Sequence, residues 1–348
     1  MRPYAWQPMH VDHLRYELPD EAIAQRPIEP RDAARLLVSL GDETAQHRHV
    51  RDLPELAGPG DVLVVNDTRV LPARLHLRKA TGGAAEVLLL SPITADQSVW
   101  EALVRPGKRL APGSELFDDN GAPVAVVGDR VGHEGCREVR LHAVGSAEDA
   151  EALLGRHGVV PLPPYIHEPL ADADRYQTVF ARVPGSVAAP TAGLHLTSEV
   201  MAACQAAGAQ IASVTLDVGL GTFRPMAAGN VADHQMHAER YAVPPETVDA
   251  IAGAERVIAI GTTSLRTLEA WAATGETAGS TDLFIYGEYE FRVVDRLLTN
   301  FHLPGSSLLA LLDAFTRGRW RSLYELALAE RYRFLSFGDA MLIDRAVG

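Results

Sequence analysis

The chain has 348 residues, of which 47% are hydrophobic, enough to bury a substantial core in one large or two ordinary domains. Its formal net charge of -13 argues against a globally basic nucleic-acid binder, although a local basic patch still serves within a Debye length. The opening MRPYAWQPMH lacks an apolar signal core and no later apolar run approaches the roughly 18 residues of a spanning helix, while two cysteines, Cys136 and Cys204, form no disulfide framework. These features point to a cytoplasmic protein without a thiolate zinc site.

In chain order, Leu18-Pro19-Asp20-Glu21 predicts a helix from Asp20 that Pro27 ends, followed by a strand at Arg35-Leu36-Leu37-Val38. Asp61 to Val65 is a short β-branched run, read as a buried strand that delivers Asn66-Asp67-Thr68 at its carboxyl end. From Leu71 to His142 the pattern changes to short strands at Glu86–Leu90, Trp100–Val104, Val124–Val127 and Glu138–Leu141, separated by Gly/Pro/Asp turns. Strands at this spacing without crossover helices predict a small β-barrel or sandwich. Gly145 to Gly158 reads as helical, and Pro161-Leu162-Pro163-Pro164 as a rigid return linker.

Beyond residue 175 helices and strands alternate: a helix capped by Thr197 and ended by Gly208, a strand at Ile211–Leu216, a helix at Pro245–Ala254, and a strand at Val257–Ile260 that feeds a helix through Trp271. Strands at Asp282–Ile285 and Ala340–Ile343 and helices at Ser306–Phe315 and Ser322–Glu330 follow. The fold class is therefore α/β, a Rossmann-like three-layer domain with a mostly parallel sheet (1–70 and 158–348) and an inserted small β-barrel (71–157).

Asp217-Val218-Gly219-Leu220-Gly221-Thr222 mimics the acidic turn of Rossmann-type methyltransferases, but two glycines after a strand also occur in ordinary turns. Gly261-Thr262-Thr263-Ser264-Leu265-Arg266 is more informative, because a buried strand feeding a helix presents hydroxyls, free N–H groups and a positive dipole end to an anionic group. The methionine carboxylate of S-adenosylmethionine suits such a turn, with Arg266 as partner, though Thr262 and Thr263 also suit a plain capping role. Histidines fall in loops: His195, His234, His237 and His302. Their His-x-x-His spacing is not that of a zincin, and acid/base or capping work outweighs metal binding. Arg317 to Arg321 and Arg331-Tyr332-Arg333 interleave arginine with aromatics, which suits RNA contacts or a solvated helix face.

Together, Tyr16-Glu17-Leu18-Pro19, Arg31-Asp32, Asn66 to Val70, Pro72 to Leu75, Gly82-Gly83, Pro161 to Ile166, Arg175 to Thr178, Gly185 to His195, Gly219 to Phe223, His234 to Glu239, Gly261 to Glu269, Thr299 to Pro304 and Tyr332 to Ile343 resemble the S-adenosylmethionine:tRNA ribosyltransferase-isomerases of queuosine biosynthesis. The resemblance runs along nearly the whole chain. It implies an α/β domain with an inserted barrel, and transfer and isomerisation of the ribosyl part of S-adenosylmethionine onto the aminomethyl group of a 7-deazaguanine in tRNA, giving epoxyqueuosine, adenine and methionine. S-Adenosylmethionine is then a substrate, no cofactor or metal is implied, tRNA is the partner, and a monomer is favoured.

That chemistry needs a base for the C5′ proton, help for departing adenine and a neutral amine. It nominates His195, Asp217, His237, Glu239 and His302 as catalytic groups, and Asn66, Asp67, Thr68, Arg69, Gly193, Gly219, Gly221, Thr222, Thr262, Thr263, Arg266 and Asn300 as substrate-binding groups. Three positions depart from the family: Asp217 replaces its usual histidine, Tyr286-Gly287-Glu288-Tyr289 replaces a Tyr-Pro-Gly-Tyr turn, and Leu196 replaces an aromatic. They raise an alternative, a diverged paralogue with a small-molecule acceptor, beside the methyltransferase-like one.

Overall fold

Runs of valine, leucine and isoleucine between Gly/Pro turns build two large sheets, and the strands Thr68–Val70 and Val183–Ser186 form a third of two strands. A computed structural model of the chain describes residues 9–41, 44–132, 135–142, 144, 149–219, 226, 229–236 and 238–346. The first strands are β1 (Arg35–Ser39), β2 (Gln46–His49), β3 (Asp61–Asn66) and β4 (Thr68–Val70). Next come β5 (Arg74–Lys79), β6 (Ala84–Pro92), β7 (Val99–Arg105), β8 (Ser114–Phe117), β9 (Pro123–Arg130) and β10 (Cys136–Leu141), then helix α1 (Ala150–His157) and β11 (Gly158–Val159). The remainder runs β12 (Val183–Ser186), α2 (Ser198–Ala206), β13 (Gln210–Leu216), β14 (Glu239–Ala242), α3 (Pro245–Ala252), β15 (Arg256–Ile260), α4 (Thr262–Thr274), β16 (Ala278–Thr281), β17 (Arg296–Asn300), α5 (Ser307–Thr316), α6 (Trp320–Ala329) and β18 (Ala340–Asp344).

The chain divides into two compact units, Met1–Arg69 with Pro163–Val183 and Ala189–Gly348, and Val70–Leu162 with Pro184–Ala188. In the second unit the strands pair antiparallel in the order β11-β5-β6-β7-β10-β9-β8, and β8 pairs back onto β5 to close a six-stranded barrel. Inward alternation buries Leu75, Leu77, Val87, Leu89, Val127 and Val139 while their neighbours face out. The N-terminal half of β5 pairs with β11 and its C-terminal half with β8. Gly158 makes the first pairing possible, because a Cβ there would stand 1.8 Å from the carbonyl oxygen of Pro72. The barrel strands β5 and β8 escape the hydropathy pattern because each carries charged residues on its outer face.

The first unit holds a nine-stranded sheet in the order β16-β14-β13-β3-β15-β17-β18-β1-β2. Its centre, β13-β3-β15-β17, is parallel. The sheet as a whole is mixed, not mostly parallel, since β14, β16 and β2 join by antiparallel pairing and β18 runs antiparallel to β17. The reason at β18 is that two helices, α5 and α6, intervene, and the chain returns to the end of β17 it had left, with Ala340 beside Asn300. Leu36, Val38, Leu63, Val65, Ile258, Ile260 and Leu298 form one buried cluster with Val200 and Cys204 of α2. Each such side chain contributes about 1.5–3 kcal/mol of transfer free energy on burial.

Two predicted elements are replaced. The helix from Asp20 shrinks to one 3-10 turn, Asp20–Ala22, because the following backbone bonds to Phe334, with Ala24 N–H donating to Phe334 O and Phe334 N–H to Ala22 O. Asp282–Ile285 is not a strand: its backbone is taken by side chains, Leu283 N–H donating to Thr281 Oγ1 and Leu283 O accepting from Arg266 Nε. The strand lies just before it, as β16. Of the helical stretch Gly145–Gly158, residues 150–157 form α1 with Asp149 as its N-cap, and 145–148 lie outside the described residues.

Candidate functional site

Four adjacent parallel strands end at one edge of the sheet, and their carboxyl ends bring four separate stretches of sequence together: Asn66-Asp67 after β3, Asp217 to Gly219 after β13, Gly261 to Thr263 after β15, and Asn300 to His302 at the end of β17. Open parallel sheets bind ligands in such a crevice. Of the nominated residues, His237, Gly221 and Thr222 lie outside the described residues.

The turn after β15 is built by Gly261, whose φ of +91° is strained for any other residue and whose N–H donates to Leu298 O at 2.7 Å. Neither threonine caps α4. Thr262 and Thr263 are buried, and the Thr263 hydroxyl has no hydrogen-bond partner although only 8% of the residue is exposed. A small cleft opens there, lined by Thr191, Val218, Gly261, Thr262, Thr263, Thr299, Asn300, His302 and Leu308, among others. An unpaired buried hydroxyl beside the free first-turn N–H groups of a helix is a set of donors awaiting an acceptor.

One turn along α4, Arg266 forms a buried ion pair with Glu239 of β14, and Glu239 Oε1 accepts the Gly219 N–H at 2.8 Å. Arg266 Nε holds the Leu283 carbonyl, while its buried Nη2 has no partner. Glu239 thus serves as the counter-ion that sets Arg266, and it ties α4 to the Gly219 loop. Asp217 accepts from Arg240 Nη2 and Nε at 2.9 and 3.1 Å on the neighbouring strand, while burial raises its carboxyl above the usual carboxylate range and Arg240 opposes the rise. The acidity at this departure from the family is thereby spent on Arg240. Glu288, the other added acid, is exposed.

Asn66 is fully buried and its amide is consumed by main chain: it donates to Leu216 O and accepts from Leu216 N–H and Thr68 N–H. It clasps β3 to β13. Asp67 accepts from Thr215 Oγ1 at 2.7 Å and Arg182 Nη2 at 2.8 Å, and Thr68 is buried beside it. Arg69 is exposed. Gly193 is a packing glycine, since a Cβ there would meet Phe180 at 2.7 Å.

Both histidines at the site are buried. His195 Nε2 lies 2.9 Å from Asn300 Nδ2, and burial pushes its pKa down to about 4. His302 Nε2 lies 3.0 Å from Thr299 Oγ1, and burial pushes it down to about 3. Its backbone is held twice, Tyr16 Oη donating to its carbonyl and its N–H donating to Tyr324 Oη at 2.8 Å. Both rings are neutral at pH 7, so each is a hydrogen-bond acceptor or a base, not a cation.

Sequence reasoning missed Thr191 and Thr299 as lining groups, although both sit beside nominated histidines in the same short loops. It also read the arginine-rich stretches that hold Trp320 and Tyr332 as RNA contacts or a solvated helix face. Trp320 is fully buried and Tyr332 1% exposed, packed respectively against Tyr16 and Phe301, so both belong to the core. No helix among the described residues is long and apolar enough to cross a membrane.

A mixed α/β sheet with a polar cleft at the carboxyl ends of its parallel strands, together with a closed antiparallel barrel, defines an α/β protein of two units with a candidate ligand cleft. Residues 11–343 match the family model described as "Queuosine biosynthesis protein". The chain is 52% identical over 338 residues to a Rubrobacter xylanophilus protein named S-adenosylmethionine:tRNA ribosyltransferase-isomerase, covering 96% of this chain and 98% of that one. It is 49% identical to the protein of that name from Symbiobacterium thermophilum, over 96% of this chain and 100% of the relative. A crystal structure of S-adenosylmethionine tRNA ribosyltransferase from Thermotoga maritima superposes with a TM-score of 0.53 at 37% identity, over 95% of this chain and 99% of that one. The chain belongs to the queuosine biosynthesis protein family.

Proposed function

We propose that this chain is an S-adenosylmethionine:tRNA ribosyltransferase-isomerase, a transferase of queuosine biosynthesis that acts in the cytoplasm on the aminomethyl-deazaguanine base of tRNA. Family membership at 46–52% identity over nearly the full chain supports the acceptor and the reaction. The observation that carries the donor half is the unpaired Thr263 hydroxyl in the cleft at the start of α4. The methionine carboxylate of the donor accepts from that hydroxyl and the first-turn N–H groups of α4, and Arg266 Nη2, on the same helical side at i+3, adds positive charge.

In this reading the sheet is the centre of a Rossmann-like three-layer arrangement with the donor in its crevice. His302, neutral and fixed by Thr299, Tyr16 and Tyr324, lines the same cleft as Thr263. It is the acceptor for a proton leaving C5′. Adenine leaves C1′ with the glycosidic electron pair and takes up the proton that His302 carries, methionine leaves as the neutral thioether with the C5′–S pair, and the ribosyl carbon becomes bonded to the amine nitrogen of the base, which releases one proton to solvent. His195 acts through Asn300 as a positioning residue. No observation favours the small-molecule or methyltransferase alternatives.

The test is adenine release from S-adenosylmethionine with tRNA carrying the aminomethyl-deazaguanine base. Release that requires the tRNA supports the reading. Release without it, or methyl transfer, would overturn it.

A further inference from the structure

The bonds around His302 decide which of its atoms can move a proton. Both of its main-chain groups are taken, the carbonyl by Tyr16 Oη and the N–H by Tyr324 Oη at 2.8 Å, and the two tyrosine rings pack edge to face. The neighbouring residues are fixed as well: Phe301 stacks on Phe334, and the Asn300 side chain is held by Thr191 Oγ1 at 3.0 Å and the Leu335 carbonyl at 3.2 Å. The imidazole is therefore the part of His302 with freedom left to lose.

Thr299 takes that freedom. Its Oγ1 lies 3.0 Å from His302 Nε2, and the two residues are only 1% and 7% exposed, so water does not compete for the bond. Among the described residues nothing else bonds the Thr299 hydroxyl or the second ring nitrogen, Nδ1, and both residues line the donor cleft. A threonine hydroxyl donates or accepts, and a neutral imidazole carries its single proton on one nitrogen. The two possible arrangements have opposite consequences. If Thr299 donates to Nε2, the ring proton sits on Nδ1 and no lone pair is left for a substrate proton. If Thr299 accepts from Nε2–H, the lone pair is on Nδ1, the nitrogen without a protein partner. Only the second ring is a base. It also keeps its bond on protonation, since imidazolium carries a proton on both nitrogens and the hydroxyl accepts from Nε2–H before and after.

We propose that Thr299 is the positioning residue for His302: its Oγ1 accepts the Nε2 proton throughout the reaction and so presents Nδ1 to the donor as the one proton-carrying atom. This assignment rests on the function proposed above and adds which atom of His302 acts and what keeps it in that state. Nδ1 takes the proton from C5′, whose C–H electron pair stays on the carbon beside the sulfonium, and then returns that proton to the departing adenine, so that the ring ends as it began. One atom serves both transfers only if the ring does not turn over between them, and the bond at Nε2 prevents that. A hydroxyl also suits the task better than a carboxylate, which would stabilise the imidazolium and hold the proton that adenine needs. No Asp or Glu is among the described residues lining the cleft.

The experiment pairs turnover with the tautomer of the ring. Long-range proton–nitrogen correlation spectra of histidine-labelled protein, with the His302 signals identified by their loss in His302→Gln, show which nitrogen is protonated. Adenine release with tRNA carrying the aminomethyl-deazaguanine base gives kcat, and titration calorimetry gives Kd for S-adenosylmethionine. In the wild type Nε2 should carry the proton. Thr299→Val keeps the shape and removes the hydroxyl; it should populate both tautomers and lower kcat about ten- to a hundredfold, a share of the roughly 100- to 10,000-fold that a positioned base supplies. Kd for the donor should stay within about twofold, as expected of a group that acts on the chemical step. Thr299→Ser should keep the wild-type tautomer and recover kcat to within about fivefold of the wild type, because the accepting oxygen remains. A wild-type ring protonated on Nδ1 overturns the assignment, as does Thr299→Val with wild-type kcat or Thr299→Ser as slow as Thr299→Val. If Thr299→Val does not fold, the wild-type tautomer and Thr299→Ser decide the matter. Full turnover by His302→Gln overturns the base role of His302 and this assignment together, whereas an inactive His302→Gln beside a fully active Thr299→Val overturns this assignment alone.

Discussion

At single residues, the site is assembled from groups whose bonding capacity is partly left unused. Thr263 is the clearest case, a hydroxyl removed from water without a partner, which costs about 1–3 kcal/mol in the free protein. Thr263→Val should therefore raise the unfolding midpoint slightly while weakening S-adenosylmethionine binding, an opposition that paired thermal melts and titration calorimetry would reveal. The buried histidines make a second prediction. His195 and His302 have folded pKa values of about 4 and about 3, depressed by burial below their unfolded value near 6.5, so the unfolded chain binds protons first as pH falls. The stability each lends is complete above pH 6.5, falls by up to about 1.4 kcal/mol per pH unit below it, and is gone at the folded pKa. His302→Gln should flatten the decline in denaturation midpoint between pH 6 and 4, and an unaltered slope would exclude His302 as its source. Most of these residues were readable as candidates because motif and loop coincided. Their individual states were not, since burial and partners such as Arg240 at Asp217 come from other strands.

At the level of elements, helix α4 carries two buried carboxylate attachments of different kinds. Glu239 reaches it from β14 as the counter-ion of Arg266, and removal of one partner from a buried pair typically costs about 3–5 kcal/mol. Glu239→Leu and Arg266→Met should each be strongly destabilising, while the double replacement should recover much of the loss in urea denaturation, because no lone charge remains. Glu269, fully buried on the same helix, accepts the N–H groups of Arg292, Val293 and Val294 at 2.9–3.1 Å. Glu269→Ala should speed amide hydrogen exchange at those residues before it affects the sheet. The sequence pattern exposed β15, whose Val257–Ile260 run is uninterrupted, and α4, whose Leu265, Leu268 and Ala272 recur at helical spacing directly after it. It misread Asp282–Ile285, where the backbone bonds to side chains at 266 and 281, a competition that hydropathy does not register.

Across the molecule, a change in periodicity at residue 71 announced the barrel, and the alternation of helices and strands announced the α/β sheet. What stayed hidden is direction: the antiparallel strands β2, β14 and β16 and the pair of helices between β17 and β18 together turn the sheet mixed, and a count of elements does not reveal on which end a chain returns. The pairing of β11 onto the barrel strand β5 depends on a contact as local as Gly158. Gly158→Ala should lower the unfolding midpoint by several degrees or abolish folding, because the clashing atom is the backbone oxygen of Pro72 and cannot swing aside.

The two free edges of the nine-stranded sheet differ from its centre in one useful way. At one edge β2 reads Gln-His-Arg-His, with Arg48 ion-paired to Glu55, and at the other β16 reads Ala-Gly-Ser-Thr, with three of its four residues exposed. The first offers an incoming strand a charged, hydrated row, and the second offers side chains too small to grip one. The exposed backbone is thus a poor template for cross-chain pairing, and the protein is guarded against fibrillar aggregation at both ends of its sheet. Placing valine at Gly279 and Ser280 should remove that guard and produce concentration-dependent light scattering in a protein whose core is untouched.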